Sequence, residues 1–402
     1  MKLWQSKSAP HKGCREIEDF LAGDDAPLDE KLVQYDCLAS AAHAEALEKA
    51  GVLSHAECGA LKKGIAEIIA LAKSGNFSIS PSDEDMHTKI ENHLTENLGA
   101  LGKKIHTSRS RNDQVLAALR LYMKSELSGI KESAKKLASA FGEFAKENNG
   151  VPMPGYTHMQ KAMPSSVSLW AGAFADSLDD DIKVLDCALE IIDQNPLGSG
   201  AGYGVPAPDI DRTLTAKTLG FKKVQQNPIY CANSRGKFEA LSLCALSQIA
   251  LTLNKFATDV MLFSAQEFGF FTVHESLCTG SSMMPQKRNP DAIEMLRAKT
   301  NLVNAQLFQA LAVMQNLPSG YSRDLQLTKG PLISGIETMH ECLAVAEIAV
   351  KTLGVNREAL EKAMGPGLYA AERAHELAAK GVPFRDAYRR VKAYGIGEHT
   401  NV

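Results

Sequence analysis

Apolar residues recur every three or four positions across the longest of four stretches of the chain that contain no proline. These stretches are residues 91–151, 165–195, 229–284 and 332–365. Such spacing places apolar side chains on one face of an α-helix. Between Asp113 and Asn148 the apolar positions are Leu116, Leu119, Met123, Leu127, Ile130, Ala134, Leu137, Phe141 and Phe144. The pattern predicts a single helix of about 54 Å, at ~1.5 Å per residue, and a rod of this length favours a long-helix bundle.

Shorter amphipathic segments flank this region on both sides. Glycines interrupt residues 1–105 repeatedly, and Gly365-Pro366-Gly367 interrupts the segment after Gly354. No alternating pattern of comparable strength predicts a strand. We therefore predict an all-α protein with a helical N-terminal domain (1–105), a central long-helix bundle (106–353) and a short helical C-terminal domain (354–402).

Composition and charge exclude several classes of protein. The 402 residues are 45% hydrophobic and carry a net charge of −3 without a basic stripe, which argues against a nucleic-acid partner. The longest uncharged run, Ala240 to Asn254, is too short to span a membrane and predicts a helix buried on all sides. The eight cysteines are scattered without metal-ligand spacing, as is typical of a reducing compartment. With no apolar leader after Met1, a cytoplasmic protein without a structural zinc site is expected.

Two polar segments flank the predicted long helix. Residues 106–114, which include Ser110, Arg111 and Asn112, precede its start, where free N–H groups and the helix dipole favour anions. A simple helix cap formed by Asn112 or Asp113, with solvated arginines, is the alternative. In residues 155–162, His158 lies among hydroxyl, amide and ammonium groups and could act as a general acid or base. A merely hydrogen-bonded loop histidine is the alternative there.

Three further polar segments carry residues suited to chemistry. In residues 279–294 the tandem serines Ser281 and Ser282 follow a glycine and face Lys287 and Asn289, which could stabilise an alkoxide or a substrate oxyanion. A serine-rich linker is the alternative, although the residues that follow, M-P-Q-K-R-N-P-D at 284–291, are not typical of a linker. Residues 321–329 combine both charges with a phenol and an amide. Residues 83–91 form an acidic turn with His87, where a metal site is disfavoured because no second ligand has suitable spacing.

These segments resemble the fumarase/aspartase superfamily and, within it, the argininosuccinate lyase family. Residues 280–290, G-S-S-M-M-P-Q-K-R-N-P, are similar to the superfamily's signature loop. Gln286, Asp291, the run S-R-S-R-N-D-Q at 108–114, G-Y-T-H at 155–158 and Y-S-R-D-L-Q at 321–326 narrow the resemblance to this family. It extends from about Lys2 to about Arg385.

The resemblance implies an all-helical fold of three domains around a central bundle, with a shortened C-terminal domain because the chain ends at Val402. It implies a homotetramer whose active sites combine segments of three subunits. The implied reaction is the reversible elimination of argininosuccinate to arginine and fumarate in arginine biosynthesis, without a metal or an organic cofactor. No membrane or nucleic-acid partner is expected.

The resemblance also implies roles for individual residues. Ser281 would be the base that removes a proton beside a carboxylate, and Lys287 and Asn289 would hold that carboxylate. His158, oriented by Glu294, would be the partner acid. Residues expected to contact the substrate are Ser110, Arg111, Asn112, Thr157, Ser282, Asn289, Tyr321, Gln326, Lys329 and His87, of which Tyr321, Gln326 and Lys329 match positions that hold the arginine portion.

Two departures from the family concern the substrate. Where many members have Phe-Asn-x-Ser, whose serine touches the substrate, this chain has Phe20-Leu21-Ala22-Gly23, and Met163 replaces a common glutamine. A lyase for another N-substituted aspartate is therefore a second hypothesis. A catalytically silent structural homologue, like the lens crystallins related to this family, is a third. A hydrolase with a nucleophilic Ser281 is a weaker fourth, since the G-x-S-x-G elbow is missing.

Overall fold

The chain is mostly helical over residues 15–80 and 83–393, which are the residues that this computed structural model describes. The outer ends of the predicted first and third domains, with Cys14, lie outside these residues. The helices are α1 (Arg15–Ala22), α2 (Asp25–Glu30), α3 (Val33–Lys49), α4 (His55–Lys73), α5 (Met86–Leu98), α6 (Ala100–Lys104), α7 (Arg111–Glu147), α8 (Val167–Ile192), α9 (Arg212–Thr218), α10 (Pro228–Asn233), α11 (Lys237–Phe263), α12 (Asp291–Val313), α13 (Lys329–Thr352), α14 (Arg357–Ala363), α15 (Ala370–Ala379) and α16 (Phe384–Ala393).

Helix α7 confirms the prediction from apolar spacing. It spans 37 residues, and its bounds lie within two residues of those predicted. Every apolar position of the predicted stripe is buried. The helix is followed by Gly150, whose φ of +78° is a conformation that glycine adopts without strain. Periodicity and a terminating glycine together account for this element.

Short strands are present in segments for which no strand was predicted. They form four two-stranded pairs among the described residues: β1 (Pro152–Thr157) with β2 (Gln160–Ser166), β3 (Gln194–Asn195) with β4 (Lys223–Val224), β5 (Phe271–Thr272) with β8 (Gly354–Val355), and β6 (Thr279–Gly280) with β7 (Arg288–Asn289). The segment around His158, which the sequence analysis treated as a loop, is therefore an antiparallel hairpin. Prolines at 152, 154 and 164 oppose a helix in this segment.

Helix α11 corrects one prediction. It was expected to be buried on all sides, but Cys244 and Leu251 are exposed on it, Leu251 by 54%. By length and composition α11 is the one described helix that could cross a membrane. Two thirds of its most apolar window (67%) is buried inside the protein, as in the core helix of a globular domain.

The chain divides into two compact units: residues 1–131, 183–247 and 302–339, and residues 132–182, 248–301 and 340–402. The core of the first unit includes Arg120, whose guanidinium donates to the Gln194 carbonyl and the Ser234 hydroxyl, both at 2.6 Å. The core of the second includes a cluster of aromatic rings, in which Phe174 stacks on Phe141 and meets Trp170 edge to face. The division into three domains stays a prediction.

Candidate active site

The start of α7 is organised by a buried carboxylate. Asp113 accepts hydrogen bonds from the backbone N–H of Ser110 at 2.9 Å, and from those of Gly198 and Gly200 at 2.9 and 3.0 Å. Burial raises the pKa of Asp113 to about 6, and the three N–H donors oppose that rise. The Ser110 hydroxyl accepts from the Asn112 N–H at 3.3 Å. Ser110 thus holds the N-cap position, and Asp113, one of the predicted alternatives, bonds the Ser110 N–H from the first turn, as the third helical residue does in a capping box.

The two arginines at the start of α7 are paired rather than solvated. Arg109 donates to the Ser40 hydroxyl at 2.7 Å. Arg111 forms ion pairs with Glu84 at 2.9 Å and Asp85 at 3.3 Å, and donates to the Thr88 hydroxyl at 2.8 Å. The guanidinium of Arg111 is therefore held in place by two carboxylates. Its planar set of donors is suited to a third carboxylate, that of a ligand.

Six of the predicted site residues line one pocket of about 230 Å³ in the first unit. They are His87, Arg111, Asn112, Tyr321, Gln326 and Lys329. Charged side chains of both signs share the pocket, since Asp25, Asp29, Glu84, Asp85, Arg235 and Arg323 also line it. Ser110 is not among the lining residues. The pocket is therefore suited to a small ligand that carries charges of both signs.

Lys329 is the most enclosed cation of this pocket. Its side chain is 4% exposed, and its Nζ lies 2.8 Å from Asp25 Oδ1 and 2.6 Å from Asp29 Oδ1. Asp29 Oδ2 accepts a further hydrogen bond from the backbone N–H of Met86 at 3.1 Å. Burial raises the pKa of Asp25, against the opposing effect of Lys329. One ammonium group thus faces two carboxylates.

His87 is held by a carboxylate that is fully buried. His87 Nδ1 lies 3.1 Å from Asp36 Oδ1, and Asp36 has no exposed surface. Burial alone would lower the pKa of His87, but the Asp36 carboxylate outweighs burial and raises it above its usual value. A carboxylate on one ring nitrogen fixes the orientation of the imidazole.

The segment 321–329 contacts the beginning of the chain. Gln326 Nε2 and Arg323 donate to the backbone carbonyl of Leu21 at 3.0 and 3.2 Å. The segment Phe20–Gly23, where the serine of the family is missing, therefore lies beside residues expected to bind the substrate. Before Tyr321, the N–H of Gly320 donates to Asn233 Oδ1 at 2.7 Å, which fixes the approach of the chain to the pocket.

In the second unit, strands β6 and β7 close the loop that carries the tandem serines. Thr279 pairs with Asn289 and Gly280 with Arg288. Inside the loop, the Ser281 hydroxyl oxygen accepts hydrogen bonds from the backbone N–H of Met283 at 3.3 Å and of Met284 at 3.0 Å. Two N–H donors on one hydroxyl oxygen favour the alkoxide over the alcohol.

The other site residues predicted in this segment lie close to Ser281 along the chain and differ in exposure. Ser282 and Lys287 are exposed, and Asn289 is half-buried in β7. Helix α12 begins at Asp291, directly after Pro290. The backbone carbonyl of Pro290 accepts a hydrogen bond from the N–H of Glu294 at 3.1 Å, so Pro290 is the residue that precedes the first turn of the helix. The Glu294 side chain is exposed.

His158 lies at the tip of the β1–β2 hairpin. His158 and Met159 form its two-residue turn, with φ values of +52° and +61°. Such turns require left-handed backbone at both positions, which glycine or asparagine usually supplies. Thr157 and His158 are both exposed. The side chains of His158 and Glu294 have neither a hydrogen bond nor an ion pair within residues 15–80 and 83–393. The structure does not bring this predicted pair together within the unit.

Replacing Met159 with glycine should raise the stability of the protein. Left-handed backbone costs about 1–2 kcal/mol in a residue with a Cβ atom, and glycine removes that strain but adds unfolded-state entropy. We expect a net gain of ~0.5–1 kcal/mol, measured as a higher melting temperature at fixed protein concentration. Gln160→Gly, in the adjoining strand, is the matched control and should lower stability. Equal losses in both variants would contradict a left-handed turn.

Several known proteins are similar to this chain over most of its length. A family model described as "Lyase" matches residues 21–304. A protein named argininosuccinate lyase from Thermotoga neapolitana is 46% identical over 395 residues, which cover 98% of this chain and 98% of that protein. A protein of the same name from Phocaeicola vulgatus is 41% identical and covers 97% of this chain and 86% of its own length.

The chain belongs to the argininosuccinate lyase family.

Solved structures place this family member in the expected fold. A fumarate lyase:delta crystallin from Brucella melitensis, bound to cobalt, superposes with a TM-score of 0.81 over 94% of this chain and 87% of that one, at 20% identity. A class II fumarase from Schistosoma mansoni gives 0.78 over 92% and 88%, at 16% identity. The mostly helical fumarase/aspartase fold expected from the sequence is thus confirmed. Among the residues described here, no group of three acidic, histidine or cysteine side chains is arranged to hold a metal ion.

Several charged residues that line the pocket of this family member were not predicted from its sequence. They are Asp25, Asp29 and Arg235. A signal for two of them was present, because aspartates four positions apart fall on one face of a helix. For Arg235 the sequence offered only a charged residue before a long apolar helix, and the pocket alone shows its position.

Proposed function

We propose that this chain catalyses the reversible elimination of argininosuccinate to L-arginine and fumarate, in arginine biosynthesis. The observation that carries the proposal is the environment of Ser281, whose hydroxyl oxygen accepts two backbone N–H groups inside the signature loop. The elimination needs a base strong enough to remove a proton from the carbon beside a carboxylate. A serine can supply that base only where its alkoxide is stabilised.

Ser281 would take the proton, and negative charge would then accumulate on the neighbouring carboxylate before the C–N bond breaks. In this proposal Lys287 and Asn289 hold that carboxylate, and His158 donates a proton to the leaving guanidino nitrogen, with Glu294 orienting the imidazole. A histidine backed by a carboxylate is a common acid–base pair. The proposal requires neither a metal nor an organic cofactor.

The substrate would be held along its length by groups of both charges. Its succinate carboxylates would contact Ser110, Arg111, Asn112, Thr157 and Ser282. The arginine portion would lie in the 230 Å³ pocket against Tyr321, Gln326 and Lys329, with His87 beside it. The charges of both signs that line this pocket support its assignment to an amino-acid group.

We propose a homotetramer with active sites shared between subunits. His158 and Glu294 lie in one unit of the chain, yet both side chains are exposed and have no polar contact among the described residues. Partners from other subunits would complete the pair. Large apolar side chains are also exposed on the long helices, including Leu302 (54%) and Phe308 (71%) on α12, as expected for faces that pack in a bundle.

We also propose that the protein acts in the cytoplasm. All seven cysteines among the described residues are free thiols, in agreement with a reducing compartment.

The test of the proposed function is product formation from argininosuccinate by the purified protein. Fumarate and L-arginine should appear in equal amounts, and adding both products should form argininosuccinate. If the protein releases fumarate only from a different N-substituted aspartate, the reaction type stands and the substrate is wrong. If it releases no fumarate from any such compound, the chain is a silent member of its fold.

A further inference from the structure

The pocket contains an ion triad with an excess of negative charge. Lys329 supplies one positive charge, and Asp25 and Asp29 supply two negative charges at 2.8 and 2.6 Å from it. All three side chains are largely enclosed, with exposures of 4%, 14% and 2%. Arg235 lines the same pocket, and its positive charge, which lowers the pKa of Asp25, balances this excess. A ligand carboxylate that pairs with Arg235 would leave the triad without that balance, so such a ligand is favoured when it also brings a cation.

The two aspartates of the triad differ in what they can still bind. Asp29 is engaged at both carboxylate oxygens, by Lys329 and by the N–H of Met86. Among the described residues Asp25 is engaged at Oδ1 only, and its side chain, which lines the pocket, is 14% exposed. Asp25 is therefore the carboxylate that a bound cation can reach.

The same pocket offers a cation with an unused donor. Arg235 is 5% exposed, and its Nε has no hydrogen-bond partner in the part of the chain that the structure describes. Its guanidinium lies 5.9 Å from the centre of the Tyr321 ring. A buried N–H without a partner is rare and unfavourable, and an anionic ligand would satisfy it. Arg235 and Asp25 line one pocket and present opposite charges to it.

We propose that Asp25 is a specificity-determining residue that selects substrates with a free α-ammonium group, while Arg235 receives the α-carboxylate of the same ligand. This inference rests on the proposed function and names the chemical group that is recognised in the pocket proposed to hold the arginine portion of the substrate. The ammonium hydrogen-bonds to Asp25 and neutralises the excess charge of the triad. An analogue without the amino group leaves that charge uncompensated and is rejected.

The experiment compares three substrates. They are argininosuccinate, its desamino analogue (hydrogen in place of the α-amino group) and its decarboxy analogue (hydrogen in place of the α-carboxylate). Values of kcat and KM are measured for the wild type, for Asp25→Asn and for Asp24→Asn. Asp24→Asn is the matched control, because Asp24 is the exposed neighbour of Asp25 and does not line the pocket.

The wild type and Asp24→Asn should prefer argininosuccinate over the desamino analogue by about 10- to 100-fold in kcat/KM, the range for a hydrogen bond between charged groups. Asp25→Asn should abolish most of that preference, chiefly through a higher KM for argininosuccinate. Its preference over the decarboxy analogue should not change. An unchanged desamino preference in Asp25→Asn would overturn the inference. So would an equal loss of both preferences, which would indicate a loosened pocket.

Binding of L-arginine, measured by titration calorimetry, separates this inference from the proposed function. The wild type should bind arginine more tightly than desaminoarginine, and Asp25→Asn should bind both equally. If the wild type releases no fumarate from argininosuccinate but shows this binding difference, the proposed reaction fails and the role of Asp25 stands. If the wild type cleaves argininosuccinate but binds the two ligands equally, the reaction stands and the role of Asp25 fails.

Discussion

We expect the Ser281→Ala variant to release fumarate from argininosuccinate at least ~10²-fold more slowly than the wild type, the usual effect of removing an acid–base group. Alanine leaves the N–H groups of Met283 and Met284 in place but removes the oxygen that they bind. The loop is exposed, so the loss of these hydrogen bonds should change stability little. The effect should therefore lie in kcat.

The rates should be compared at equal protein concentration, with Ser282→Ala as the companion variant. Ser282 is proposed to contact a substrate carboxylate, so its loss should mainly raise KM. A kcat effect in Ser281→Ala beside a KM effect in Ser282→Ala would distinguish the base from its neighbour. Fumarate release that survives in Ser281→Ala would assign the base elsewhere, with His158 as the next residue to replace.

We expect the Lys329→Met variant to be markedly less stable than the wild type. Methionine has a similar length but leaves the carboxylates of Asp25 and Asp29 without their cation, and Asp29 is almost fully buried. Removing one partner of a buried ion pair typically destabilises a protein by about 3–5 kcal/mol. Because water reaches Asp25, we expect the lower end of that range, measured by denaturant unfolding. The loss should diminish as the pH falls, because protonation removes the uncompensated charge.

A surface lysine provides the matched control for this variant. Lys31 forms an ion pair with Glu337, and both side chains are about half exposed, at 42% and 51%. Lys31→Met should cost less than ~1 kcal/mol, as is usual for exposed pairs. Adding Asp29→Asn to Lys329→Met should restore part of the lost stability. A similar loss in both lysine variants, or no recovery in the double variant, would show that the triad is not the source of the effect.

How much the sequence predicts depends on how far apart the interacting residues lie. Helix α7 was predicted to within two residues because its apolar face repeats locally, every three or four positions. The β1–β2 hairpin was not predicted. Its strands contain prolines, and its turn has His158 and Met159 where the usual signal would be asparagine and glycine.

The residues that line the pocket also differ in how well they could be predicted from the sequence. The family resemblance predicted six of its lining residues, each within a recognisable segment. Asp25 and Arg235 belong to no such segment, and their relation to Lys329 arises only when distant parts of the chain meet. Physical interactions between residues that are hundreds of positions apart leave no local pattern, so the charge balance of the pocket could be seen only in the folded chain.

The separation of Lys329 and Asp29 has a consequence for synthesis on the ribosome. The two residues are 300 positions apart. At roughly 5–20 residues per second, Asp29 is made about 15–60 s before its counter-ion. Burial of an unpaired carboxylate is unfavourable, so α2 should stay in solvent during that interval. In the nascent chain α2 should therefore be accessible to chaperones and proteases until α13, which carries Lys329, is made.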